Sequence, residues 1–455
     1  MDRLVFFHKT PALWNKNRNL PPDPRIITLD KMKKQLSNHS INIEMAEFFS
    51  TDVYFQMCKE ICATLEIKEL HIVHGFKEEE PRNWSVREDE GWCEIDEITT
   101  YWSLKEADKL LGFMDSSIIL TRGNYPLLHQ WLTDNSIPNP GRFWLHYPAT
   151  SIRFPHLNKF EKKTRNMIQT KENVPKLELN LTGMGLEHNL KLDSLSLESG
   201  YNELFQHFRN QRTSILGGPY TMVLADDKYN LELLTNVFPN SLVQKFAKPA
   251  IWHESNCNAN REYDLIYCGT SLQSTKNHHC FVQLLKLLDT FTDVELNIAI
   301  AGNKSDSQIF DNLFTYPYSN IKLFNKGEVS RKELQSLFSK SKAMILTSGR
   351  DANPRIIQES LVHGARVISV DTLSDGLDFL SSNPLLGAVL SSDISKWKYS
   401  RNGNLEFTPT VKLASLVSNE IEKSHFPDLV MKISRRKLSV ENSVHPIVSS
   451  IKSFR

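Results

Sequence analysis

The chain lacks the features that mark several large protein classes. No apolar run approaches the length of a membrane span. The net charge is only +1, so no overall field recommends nucleic acid as a partner. Cysteine is sparse: Cys58, Cys62, Cys93, Cys257, Cys268 and Cys280 are scattered without a CxxC pair, which fits a reducing compartment. Cys58 and Cys62 lie four apart in a helical pattern and are read as packing residues. Neither an internal repeat nor a low-complexity tract is present. The opening Met1–His8 has too short an apolar run for a signal peptide. A cytoplasmic protein, membrane-peripheral at most, is the expectation.

What is present is a globular composition, 40% apolar and 24% charged. At 455 residues the chain is too long for one ordinary domain. In the C-terminal half, apolar strands are expected at Tyr263–Cys268, Leu296–Ala301, Ile321–Phe324, Ala343–Thr347, Arg366–Val370 and Leu386–Leu390. Helical patterns alternate with them at His278–Thr290, Arg331–Ser341, Pro354–His363 and Asp375–Leu380, and Ser330 with Glu333 forms a capping box. That alternation predicts a parallel, doubly wound sheet whose ligands bind at the carboxyl ends of the strands.

The N-terminal half is less regular. Strands are expected at Leu4–Phe7, Leu70–Val73, Ser117–Thr121, Arg142–His146 and Thr221–Ala225, with a helix over Met45–Leu65. Six of the eight tryptophans precede residue 150. Pro249 and the run Ser255–Asn260 break the pattern, so the boundaries are set at 1–250, 251–425 and a tail at 426–455. A helix over Val411–Lys423 closes the second unit. The tail either crosses back to the first domain or is a loose basic extension.

The densest motif runs from Arg350 to Ile368. Asn353 is a good N-cap, Pro354 suits the first helical position, and Gly364 ends the helix. Ile356, Ile357, Ser360 and Leu361 form its inward stripe. The free N–H groups of such a helix start favour a phosphate or sugar hydroxyls. Asp351 precedes the cap and Glu359 falls in the second turn, so both carboxylates face one crevice.

This arrangement resembles the acidic donor-site signature of family 4 (group 1) glycosyltransferases of the GT-B fold. The resemblance implies two facing Rossmann-like α/β domains with a cleft between them. It makes Glu359 the ligand of the nucleotide's ribose and Asp351 the contact to the donor sugar, with Asp standing where Glu is usual. The family's phosphate side has a Gly, an Arg and then a Lys. Gly269 and Lys276 match it, Thr270 stands where the Arg would be, and the spacing is one residue longer. Arg355, in the first turn of the donor helix, is our candidate for the missing charge, because Arg binds phosphate bidentately. Gly302 ends a strand beneath the nucleotide, the loop Lys326–Val329 packs against the base, and Ser348 lies near the diphosphate. Asp371 and Asp375 are read as turn or cap residues.

From the first domain, His146 resembles the family's strand-end His beside the donor sugar. Arg122, Tyr147 and Asp226 are candidates on the acceptor side. His71 and His74 form an HxxH without an intervening Glu or a third ligand, so no zinc site is read there. Metal independence and the absence of a cofactor are also what the resemblance implies. The basic segment from Arg153 to Lys176 is either a solvated helix or a surface for an anionic lipid or acceptor.

The expected activity is retaining transfer, hexosyltransferase in type, from a nucleotide-diphosphate sugar to a hydroxyl of a glycan, lipid-linked or small-molecule acceptor, as in polysaccharide biosynthesis. The alternatives are a non-catalytic scaffold with a decayed donor site, and an epimerase or phosphorylase on the same fold.

Overall fold

The computed structural model describes residues 2–8, 52–74, 76–79, 83–86, 92–94, 96–103, 117–122, 143–147, 220–225, 231, 235, 241–246, 248–252, 261–269, 276–292, 294–302, 313–349, 354–372, 376–393, 396–399, 405–423 and 425–453. Within them the chain forms two separate large sheets, of eight and six strands, and two two-stranded hairpins.

The first half contains β1 (Arg3–His8), α1 (Val53–Leu65), β2 (Glu69–His74), the β3–β4 hairpin (Phe76–Glu79, Asn83–Val86), β5 (Trp92–Glu94) and β6 (Thr99–Ser103). It continues with β7 (Ile118–Arg122), β8 (Phe143–Tyr147), β9 (Tyr220–Ala225) and β10 (Leu242–Lys245). The sheet order is β10-β9-β8-β7-β1-β2-β6-β5. Every pairing is parallel except β5 with β6. The five strands expected from sequence are all there. The short strands β3 to β6 and β10 were not expected, because three to five residues of mixed polarity carry little periodic signal. Helix α1 starts later than the expected Met45. Asp52 is extended there, and its Oδ1 accepts from the Phe55 N–H at 2.8 Å, which fixes the first turn at Val53.

The second half contains β11 (Tyr263–Cys268), α2 (His278–Asp289), β12 (Leu296–Ala301), β13 (Ile321–Gly327), α3 (Arg331–Ser339), β14 (Ser341–Leu346) and α4 (Arg355–Val362). Then come β15 (Arg366–Val370), α5 (Asp378–Ser381), β16 (Gly387–Leu390), the hairpin β17–β18 (Trp397–Tyr399, Leu405–Phe407) and α6 (Val411–Glu422). The six strands are all parallel in the order β13-β12-β11-β14-β15-β16. Alternate residues of these strands bury on opposite faces. Leu265, Tyr267, Ile298, Ile300 and Ile345 pack with Phe281 and Leu285 of α2 and Val417 of α6. Ile266, Cys268, Ala299 and Met344 pack with Phe338 of α3 and Ile357 and Leu361 of α4. A sheet covered on both faces reads as continuous apolar strands, which is why this half was the more legible one. The predicted capping box is present: Ser330 Oγ accepts from the Glu333 N–H and the Ser330 N–H donates to Glu333 Oε2 at 2.7 Å.

The tail is two helices, α7 (Pro427–Lys437) and α8 (Val440–Ser453). Val430 of α7 joins Leu361 of α4 in one core, and Arg435 Nε donates to the Val362 carbonyl at 3.0 Å. Helix α8 leaves the second sheet altogether. Val444, Ile447, Val448 and Ile451 bury against Phe55, Cys58, Cys62 and Leu65 of α1, under Leu4, Phe6, Leu70 and Ile72 of the first sheet. Each such aliphatic side chain contributes about 1.5–3 kcal/mol. A loose extension would leave this surface in water; the crossing is the arrangement observed. The two parallel α/β halves agree with the architecture that the GT-B resemblance implies.

Candidate functional site

In the second sheet the chain winds outward from β11 through β12 to β13, then returns beside β11 and winds the other way through β14, β15 and β16. The reversal between β11 and β14 leaves a gap above their carboxyl ends, since the two connections depart in opposite directions. Ligands of open α/β sheets bind there.

Glycine shapes one wall of this gap. The Gly269 N–H donates to the Ala301 carbonyl at 3.1 Å, drawing the end of β11 against the end of β12. A Cβ on Gly302 would lie 1.9 Å from the Gly269 carbonyl oxygen, so no side chain fits. A Cβ on Gly269 would come 2.8 Å from His278 Cε1. Gly302 is therefore a position of close backbone approach, and at Gly269 a side chain would meet the His278 ring.

Beneath them a buried network fixes the loop that carries Lys276. Tyr267 stacks on Phe281 with ring centroids 3.7 Å apart. Its hydroxyl donates to the Lys276 carbonyl at 3.3 Å and lies 2.8 Å from His278 Nδ1. Burial pushes that phenol well above its usual range, so it stays a neutral donor. Thr347 Oγ1 also donates to the Lys276 carbonyl, at 2.9 Å, and Asn277 Nδ2 donates to the Thr347 carbonyl at 3.1 Å. Asn277 holds a left-handed conformation (φ 54°, ψ 47°) that Asn tolerates better than most residues. These bonds tie the start of α2 to the end of β14 across the reversal. Lys276 Cγ lies 3.5 Å from where a Gly269 Cβ would be, so its stem runs beside that glycine.

On the β14 side, Ser348 is buried, its carbonyl accepts from Thr372 Oγ1 at 2.9 Å, and its Oγ has no hydrogen-bond partner among the described residues. A buried hydroxyl without a partner costs about 1–3 kcal/mol, a cost that a bound acceptor would remove. Helix α4 begins one residue later than the sequence predicts. Pro354 has φ −68° and ψ 109° and is itself the N-cap, its carbonyl accepting from the Ile357 N–H at 3.0 Å, and Arg355 is the first helical residue. The cause is local: the extended ψ of Pro354 takes it out of the helix, although its ring is compatible with a first helical position. Arg355 is half-buried in that first turn. At the other end, Gly364 takes φ +82°, a conformation that suits Gly.

Glu359 faces a partner that sequence reasoning missed. Its Oε1 accepts from Arg331 Nη2 at 3.0 Å, with the two side chains only 16% and 25% exposed. Its backbone carbonyl lies 2.7 Å from His363 Nδ1. Cys268 senses both sides of the site. Burial pushes its thiol up, the Glu359 carboxylate adds to that, and the Lys276 ammonium opposes it. The acid and the lysine therefore act on the same strand end. Asp371 is a structural residue, as the sequence suggests, with its carboxylate accepting from the backbone N–H and hydroxyl of Ser392 and from the Ser391 hydroxyl.

In the first sheet, Arg122 pairs in register with His146, and Tyr147 with Ala225, at the carboxyl ends of β7, β8 and β9. The topology thus gathers Arg122, His146 and Tyr147 on one sheet edge. Thr270, Asp351, Asn353, Asp226, Asp375 and the basic segment Arg153–Lys176 lie outside the described residues. Within the HxxH, His71 Nε2 lies 3.2 Å from Glu69 Oε2 and its Nδ1 accepts from Trp102 Nε1 at 3.1 Å, so both ring nitrogens are committed. Among the described residues no group of three or more His, Cys, Asp or Glu is placed to hold a metal ion, and no helix is long and apolar enough to cross a membrane.

Solved structures with a similar course include TarM from S. aureus, at 11% identity and TM-score 0.45, over 77% of this chain and 57% of that one. The chain thus spans less than two thirds of the length of TarM. They also include sucrose-phosphate synthase from Thermosynechococcus elongatus (10% identity, TM-score 0.47, 100% of this chain and 98% of that one). A third is the E. coli trehalose-6-phosphate structure bound with UDP-2-fluoro glucose (11%, 0.49, 99% and 98%). No curated protein matches the sequence. Residues 251–376, which contain β11 to β15 with Gly269, Lys276, Gly302, Arg331, Ser348, Arg355 and Glu359, match the family described as glycosyl transferases group 1, and it is this family that the C-terminal half resembles.

Proposed function

We propose that the chain is a retaining, metal-independent glycosyltransferase that moves a sugar from a nucleotide-diphosphate sugar to a hydroxyl of a glycan, lipid-linked or small-molecule acceptor. One observation carries this reading. The reversal point of the second sheet joins two side-chain-free glycines, the Lys276 loop, the start of α4 and the Glu359 carboxylate at one edge.

In this reading the diphosphate lies over Gly269 and Gly302, where a closely approaching backbone leaves room for it. Lys276, Arg355 and the positive end of α4 stabilise the charge that grows on the leaving phosphate. Such groups matter because their orientation is fixed before the reaction, and the Tyr267–Thr347–Asn277 network does that for the Lys276 loop. Ser348 Oγ donates to a phosphate oxygen. Glu359 accepts from the ribose hydroxyls, while Asp351 and His146 position the sugar. The departing phosphate helps deprotonate the acceptor on the same face, so the configuration is kept. Lys276 and Arg355 supply the positive charge, and no metal step is needed. Arg122, Tyr147 and Asp226 line the acceptor side. The protein works in the cytoplasm, at most peripheral to a membrane.

The test is a thermal-shift screen against UDP-, GDP- and ADP-linked sugars, repeated with Glu359→Ala. Stabilisation grows with ligand concentration over dissociation constant, so a weak donor still registers. One nucleotide is expected to shift the wild type and to lose its effect in the variant. A variant stabilised as strongly as the wild type would overturn the placement of the site.

A further inference from the structure

We infer that Arg331 is a positioning residue for nucleotide binding, holding Glu359 in the rotamer that receives the ribose. The inference rests on the donor-site reading above and assigns a role to a residue that no motif in the sequence singles out.

The geometry is specific. Arg331 is the first residue of α3 and sits inside the capping box formed by Ser330 and Glu333, so its backbone is fixed on both sides. Its guanidinium reaches across to α4 and holds Glu359 Oε1 at 3.0 Å. The carboxylate's own backbone is fixed in turn, within the second turn of α4 and with its carbonyl beside His363 Nδ1. A lone Glu side chain has three rotatable bonds, and ordering it on binding is unfavourable by about 0.5–1.5 kcal/mol. With one oxygen held by Arg331, that ordering is complete before the ligand arrives, and Oε2 keeps its lone pairs for a hydroxyl. The two side chains are mostly buried, so solvent screens the pair only partly.

Lys would hold the carboxylate less well, since its ammonium is a point charge without the planar fork that fixes a carboxylate's direction.

The experiment is calorimetric titration of the full-length chain with UDP, GDP and ADP, then with the 2′,3′-dideoxy form of whichever binds. Arg331→Ala should weaken the ribonucleotide about ten-fold and Arg331→Lys about three-fold, and the Arg331→Ala, Glu359→Ala double variant should bind no worse than Glu359→Ala alone. Neither Arg331 variant should alter binding of the dideoxy nucleotide, which offers Glu359 no hydroxyl. If Arg331→Ala does not fold, the Lys variant against the two nucleotides carries the same comparison. Equal losses on both nucleotides, or losses that add to those of Glu359→Ala, would make Arg331 a general structural or phosphate-binding residue and overturn the proposal while leaving the donor site standing. No binding by the wild type of any of the three diphosphates would overturn the donor-site reading itself, and this inference with it.

Discussion

At the reversal in the first sheet, β1 and β7 run side by side to Phe7 and Thr121, both fully buried. At the reversal in the second, β11 and β14 are followed by Gly269 and by Thr347-Ser348, and the neighbouring β12 by Gly302. The wiring is the same; the residues that close it differ. In the first sheet Arg3 Nε meets Glu69 Oε2 at 2.6 Å and Glu69 lies 3.2 Å from His71 at the opposite edge, while at the carboxyl end of β10 an exposed Lys245 lies 3.8 Å from Asp378. The second brings Lys276, Glu359 and Arg331 to the carboxyl edge itself, beside glycines that let a ligand approach the backbone. Topology alone thus marks two candidate crevices, and residue chemistry favours the second as the nucleotide side.

The comparison breaks most sharply along the division of labour it implies. Lys276→Ala should lower turnover by about 100-fold or more, as expected for removing charge stabilisation from a leaving group. It should also weaken nucleoside diphosphate binding. His146→Ala in the first sheet should lower turnover while leaving diphosphate affinity unchanged, as titration calorimetry would read it. Loss of diphosphate binding in the His146 variant would mean that the nucleotide spans both edges.

A second contrast lies within the second sheet. Gly302→Ala drives a Cβ into the Gly269 carbonyl, a backbone atom that cannot step aside, and should cost about 3 kcal/mol or more in denaturant unfolding. Gly269→Ala meets only the edge of the His278 ring and should cost about half as much. Equal costs would mean that the ring is as immobile as the backbone.

The smallest effect is expected at Ser348. Ser348→Ala removes a buried hydroxyl without a described partner, so stability should stay level or rise by up to about 1 kcal/mol. Diphosphate affinity should fall several-fold. A loss of stability with unchanged affinity would show that the hydroxyl serves the fold instead.

Much of the second half was legible because its strands are apolar on both faces and its helices carry local signals, such as the Ser330–Glu333 box and Gly364. Local rules also misplaced one boundary, choosing Asn353 and Pro354 over Pro354 and Arg355, since a good N-cap side chain and a proline compete for adjacent roles. The Arg331–Glu359 pair was out of reach. It joins two helices across 28 positions of sequence, and no periodicity records a contact made through space. The same holds for α8, whose apolar stripe shows that it must bury something without saying what. The edge strands β5 and β10 were missed because three or four residues cannot establish a period.

The crossing of α8 onto α1 also sets an order of events during synthesis. The apolar face of α1 is made early, yet part of its cover, Val444 to Ile451, follows about 380 residues later in the chain. At about 5–20 residues per second, that interval lasts tens of seconds. Throughout it the nascent N-terminal half presents Phe55, Cys58 and Leu65 without their partners, an invitation to chaperones and to aggregation alike. Helix α8 is therefore a closing step of the first domain, and the two halves mature as one unit instead of two beads folded in turn.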